Sequence, residues 1–128
     1  IVYRKLTIDL PIAWRLGRIR RMKERLQAGQ ETADFNAYLA AKIEKQELKL
    51  VKRFSLELRT DKFRFFDELV SAFKGMSSER RAVYGSLRKK IEQKLQFEVV
   101  NRGDKLFAWK LDQMRAAFGD APLAQAGQ

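Results

Sequence analysis

The sequence contains no cysteine and no histidine. Without cysteine there is no disulfide framework and no thiolate to act as nucleophile or soft metal ligand, and a reducing compartment is permitted. Without histidine the commonest metal ligand and the commonest general base are both missing. No apolar run approaches the ~18 residues that a membrane-spanning helix needs, so no membrane span is expected, and the first residues do not read as a signal peptide. There is no glycine-rich phosphate loop, the serines have no histidine base, and the adjacent acids Asp67 and Glu68 fall on different sides of a helix. These absences predict a protein that is not an enzyme and holds no metal or cofactor. The chain opens at Ile1 and not at Met, so a leading segment, removed or lying outside the sequence, is expected.

What the chain has in excess is positive charge. Lys and Arg number 27 against 16 Asp and Glu, for a net charge of +11. A surplus of that size makes attraction to nucleic acid or another polyanion the default expectation. It is unevenly placed: residues 1–30 hold 8 basic and 2 acidic groups, 31–60 hold 6 and 5, 61–90 hold 8 and 4, and 91–128 hold 5 and 5. Two basic segments thus flank a neutral one.

The most informative stretch runs from Lys5 to Gln27. Leu6, Ile8 and Leu10 alternate with Lys5, Thr7 and Asp9, the period of a half-buried strand. Pro11 suits the first turn of a helix, and Ile12, Leu16, Ile19, Met22 and Leu26 then recur on one helical face. Away from that face lie Arg15, Arg18, Arg20, Arg21, Lys23 and Arg25. Gly29 reads as a left-handed stop and Thr32 as the N-cap of a long amphipathic helix to about Arg53, with Phe35, Leu39, Ile43, Leu50 and Phe54 inside. Phe54–Arg59 fits either the end of that helix or a short strand. Asp61 is predicted to cap a third helix that buries Phe66, Leu69, Val70 and Phe73 and closes at Gly75. Ser77 or Ser78 caps a fourth to about Leu95, with Val83, Leu87, Ile91 and Leu95 inward and Arg80, Arg81, Arg88, Lys89, Lys90 and Lys94 outward.

From Phe97 to Leu111 the pattern predicts a β-hairpin. Phe97 and Val99 alternate with Glu98 and Val100, Asn101-Arg102-Gly103-Asp104 supplies turn residues, and Phe107, Trp109 and Leu111 share a face. A short helix is expected over Asp112–Phe118, and the small, polar residues 119–128 read as a flexible tail. The expected fold is therefore mainly α with minor β: a short N-terminal strand, about four helices and a C-terminal hairpin.

The strand–Pro–helix–Gly–helix order of residues 1–53 resembles the ribbon-helix-helix family of DNA-binding proteins. In that family two chains pair one strand each into a ribbon that enters the major groove. The resemblance implies a dimer in which Lys5, Thr7 and Asp9 face the bases while Leu6, Ile8 and Leu10 face the core. The later order, helix, helix and hairpin over residues 61–111, is that of a winged helix-turn-helix. There Arg81, Arg88, Lys89 and Lys94 would contact DNA and Arg102 would sit on the wing. The bland alternatives are an edge strand with a solvated cationic face, and a helix packed on a hairpin. Arginine outnumbers lysine six to two within Ile1–Gln30, which favours bidentate phosphate contact over mere solubility.

Phe63, Phe65 and Phe66, interleaved with Lys62 and Arg64, raise the question of a base-stacking platform, but Phe66 lies on the apolar stripe. Trp14 and Trp109 fit core or interface anchors. Arg102-Gly103-Asp104 spells an adhesion tripeptide that the turn alone explains.

Residues 1–118 are accordingly expected to form one helical, cytoplasmic, DNA-binding domain, a regulator or accessory protein. Its phosphate contacts would come from Arg15, Arg18, Arg21 and Arg25, from Arg81, Arg88, Lys89 and Lys94, and from Arg102, and its specificity from Lys5 and Thr7 or the fourth helix. Expected partners are DNA before RNA, and a second copy of the chain or a larger complex. The alternative is an RNA-binding or structural subunit of a ribonucleoprotein or multiprotein assembly.

Overall fold

The computed structural model describes residues 11–120, and every regular element among them is an α-helix. They are α1 (Ile12–Ala28), α2 (Ala33–Thr60), α3 (Arg64–Lys74), α4 (Ser78–Ala82), α5 (Gly85–Arg102) and α6 (Lys105–Ala117). Internal contacts divide the chain into two compact units, Ile1–Lys49 and Leu50–Gln128, the boundary falling within α2. Among the described residues no helix is long and apolar enough to cross a membrane.

In the first unit, Pro11 opens α1 with φ −54 while its carbonyl accepts from Trp14 and Arg15, as a proline ahead of a helix should. The helix ends at Gly29, which takes the left-handed φ of 66 and returns its N–H to Leu26. Thr32 Oγ1 then accepts from the Phe35 amide at 3.2 Å, capping α2 as its sequence position predicts. Ile12, Leu16 and Ile19 of α1 and Leu39 and Ile43 of α2 are buried. Beside them sits one buried carboxylate, Glu47, whose Oε2 lies 3.1 Å from Lys23 Nζ.

The second unit is built on aromatic packing. Phe54 lies 5.4 Å from Phe66, Phe63 lies 5.9 Å from Phe66 and 6.2 Å from Phe107, and Phe73 lies 5.6 Å from Tyr84 and 4.8 Å from Phe118, ring centre to ring centre. Phe63, Phe65 and Phe66 are therefore core residues and form no exposed platform. Leu87, Ile91 and Leu95 of α5 and Phe107, Leu111, Met114 and Ala117 of α6 complete the interior.

Three sequence expectations are corrected here. The hairpin over 97–111 is two helices: α5 runs on to Arg102, Gly103 stops it with φ 65, and the Asp104 carboxylate caps α6 by accepting from the Leu106 amide at 2.9 Å. The Gly-Asp pair that reads as a hairpin turn is equally a helix stop followed by a helix cap. Burial decides between them, because Phe107, Leu111 and Met114 follow the helical period and Trp109 is 62% exposed. With the hairpin goes the wing.

The Phe54–Arg59 segment continues α2 to Thr60. The cap of α3 comes from elsewhere: Asp61 takes a positive φ of 58, and the buried Glu57 carboxylate accepts from the amides of Phe65 at 2.7 Å and Phe66 at 2.9 Å. The fourth helix is interrupted. Ser77 caps the short α4, the chain turns at Val83 and Tyr84, and α5 restarts at Gly85.

The fold class of the described residues is thus all-α, not mainly α with minor β. The N-terminal strand, with Lys5 and Thr7, and the tail from residue 121 lie outside the described residues.

Candidate functional site

The cations singled out by sequence separate into two groups once their partners are known. Arg88 is the plainest structural one. It donates to Glu92 at 2.7 Å and to Asp120, and its guanidinium lies 4.5 Å from the Phe118 ring centre. Burial disfavours its charge, but the hydrogen bonds to Asp120 and Glu92 and the negative charge of both outweigh that and hold its pKa above the ordinary arginine value.

Arg102 lies 2.6 Å from Glu98 and 3.5 Å from Asp61, with its guanidinium over the Phe107 ring at 4.9 Å. Arg81 is half-buried and donates to the Ala117 carbonyl. Arg25 pairs with Glu31 at 2.9 Å and stacks on Phe35 at 4.5 Å. These four cations are engaged in holding elements of their own unit together.

The second group faces outward. Arg21 is exposed on α1 and Arg18 is half-buried on it; Arg15, also half-buried, has a partner of its own and belongs to neither group. Lys89 and Lys94 are exposed on α5. Of these, Lys89 borders a pocket of about 220 Å³ that Glu92 also lines, and Arg18 lines a larger groove. In the first unit, Arg18 of α1 meets Tyr38, Ala41, Lys42, Lys45, Gln46 and Lys49 of α2 around a groove of about 420 Å³. Among the described residues no carboxylate lines it and no ion pair engages Arg18, Lys45 or Lys49.

The geometry follows from helix periodicity. Lys42, Lys45 and Lys49 are spaced three and four residues apart, so they stand in one row along α2 over about 10 Å of its length. Glu44 and Glu47 fall on other faces, and Glu47 is buried. Tyr38 opens the row and is 53% exposed. Lys42 Nζ lies 3.2 Å from the Tyr38 hydroxyl and 5.5 Å from its ring centre, while the Phe35 ring, tilted by 41°, stands 5.7 Å away. Trp14, 50% exposed, lies one turn before Arg18 on the same face of α1.

Sequence reading found Arg18 and missed Tyr38, Lys42, Lys45 and Lys49. The signal was present in the lysine spacing, but counting charge over residues 31–60 set those lysines against acids that occupy different faces. Among the described residues no cluster of three or more acids offers a metal site. Comparison of the chain with protein-family models, with curated proteins and with solved structures finds no match in any of the three.

Proposed function

We propose that this is a non-enzymatic nucleic-acid-binding protein, DNA in the first instance, that holds the sugar-phosphate backbone in the Arg18–Lys42–Lys45–Lys49 groove. The observation that carries the reading is that four cations converge on one groove with no carboxylate among its described lining residues. A cationic face kept only for solubility has no need to leave its charges unpaired around a concavity, whereas Arg88 and Arg102 in the second unit are met by neighbouring acids. Arginine and lysine together suit phosphate, the one as a fork and the other as a mobile point charge.

The test is the salt dependence of binding to a labelled oligonucleotide. Four phosphate contacts give a log–log slope of roughly −3 to −4, about a hundredfold loss of affinity between 50 and 200 mM salt. A response flat over that range sinks the proposal.

A second reading, a subunit of a ribonucleoprotein or multiprotein assembly, is favoured by one observation. Phe97 and Val100 on α5 and Trp109 on α6 are 64%, 72% and 62% exposed, more than a protein working alone gains from. Light scattering on the purified protein, alone and with nucleic acid, separates a defined monomer or dimer from a chain that self-associates through these residues.

A further inference from the structure

We infer that the groove takes a single strand, not a duplex, with one base laid on the ring of Tyr38. The inference rests on the reading of the groove as a phosphate site and adds to it the form of the nucleic acid.

Three observations carry it. First, among the described lining residues the aromatic ring lies among the cations and not at a distance from them: Tyr38 is one helical turn from Lys42 and shares the lining with Arg18, Lys45 and Lys49. A duplex keeps its bases stacked on one another and presents only phosphates to such a groove, whereas a single strand can turn a base face onto an aromatic ring. Second, the ring has neighbours that hold it in place. Lys42 reaches its hydroxyl and lies near its face, and Phe35 stands against it with the Arg25 guanidinium on Phe35 in turn. The result is a braced ring on a residue that is still 53% exposed. Third, the dimensions fit. Lys42 to Lys49 spans about 10 Å, the rise of about three stacked nucleotides. The groove, about 420 Å³, falls within the roughly 300–1,000 Å³ of sites that enclose one small-molecule-sized group.

Tyr38 then provides affinity that does not depend on sequence, because every base has a flat face, and the lysine row provides affinity that depends on salt. The hydroxyl is not the working part. Its role is to receive Lys42, so phenylalanine should serve nearly as well as tyrosine for stacking.

The experiment is fluorescence anisotropy on a labelled twenty-nucleotide oligothymidylate and on a mixed-sequence duplex of the same length, at one fixed salt concentration. Wild-type protein is expected to bind the single strand about tenfold or more tighter than the duplex. Tyr38→Ala is expected to lose about tenfold on the single strand and almost nothing on the duplex, and Tyr38→Phe to keep wild-type affinity for both. Circular dichroism confirms that the variants are folded. Equal affinity for both forms together with an inert Tyr38→Ala overturns the single-strand inference and leaves the phosphate groove standing. Absence of binding to either oligonucleotide overturns both.

Discussion

Lys23 Nζ of α1 lies 3.1 Å from Glu47 Oε2 of α2, and the Glu47 side chain is 3% exposed. A carboxylate that far from water is stable as an ion only against an opposite charge. The pair therefore links the two helices that form the groove, on the side away from the lysine row. Glu47→Ala should destabilise the protein by about 3 kcal/mol, because Lys23 then loses a buried counter-charge, and the loss is read as a lower midpoint in urea unfolding. Replacing both residues by leucine and methionine should cost far less than Glu47→Ala alone, since a buried pair contributes little beyond a well-packed apolar substitute.

Glu57 performs a different task with the same chemistry. Its two oxygens accept from the amides of Phe65 and Phe66, so α2 supplies the cap that α3 lacks in its own sequence. Glu57→Ala should cost about 2 kcal/mol and should speed hydrogen exchange at these two amides more than at those of α5. Uniform exchange changes over α3 and α5 would show that Glu57 acts on packing and not on the cap.

Gly103 separates the two readings of residues 97–111. Its φ of 65 is needed for the stop between α5 and α6, and a Cβ built there meets nothing within 4 Å. Gly103→Ala should then cost only the backbone strain, about 1 kcal/mol, with the helical circular dichroism unchanged. A large loss of helix would contradict the tight stop-and-cap between the two helices.

How much of this was legible follows from which signals are local. Gly29, Thr32 and Ser77 act where the sequence puts them, because a left-handed glycine and a capping hydroxyl work on residues three or four away. Glu57 was not legible as a cap, since its amides lie eight and nine residues on and in a separate helix. The Phe97–Leu111 stretch satisfied both a period of two and a helical period, and only burial of Met114 and exposure of Trp109 chose between them. For the site, net charge by segment pointed at residues 1–30 and 61–90. Whether an arginine is free or engaged is decided by acids far along the chain, as Asp120 is from Arg88 and Asp61 from Arg102.

Arg88 permits a test over pH. Its pKa in the folded protein is raised, so its contribution is fully present below the ordinary arginine value, well above the physiological range, and is lost only as pH climbs through the higher folded value. The destabilisation caused by Arg88→Gln, about 2 kcal/mol for hydrogen bonds to charged partners, should be constant from pH 6 to pH 9. A loss that varies across that range would mean that some other titrating group is coupled to the site.

The separation of the cations into two groups makes the last prediction, and the one on which the function turns. Each phosphate contact removed lowers the log–log salt slope of binding by about 1 and weakens binding to all sequences alike. Lys45→Gln and Lys49→Gln should each do this while leaving the unfolding midpoint nearly unchanged, because both side chains are exposed and unpaired among the described residues. Arg88→Gln and Arg102→Gln should do the reverse, lowering stability with the salt slope intact, because their charge is already met by Glu92, Asp120, Glu98 and Asp61. Arg18→Gln belongs with the lysines, and Lys89→Gln, on α5 and outside the groove, should change neither quantity. If instead Arg88 and Lys89 set the slope while Lys45 and Lys49 are silent, the binding face lies on α5 and the groove of the first unit is an ordinary solvated surface.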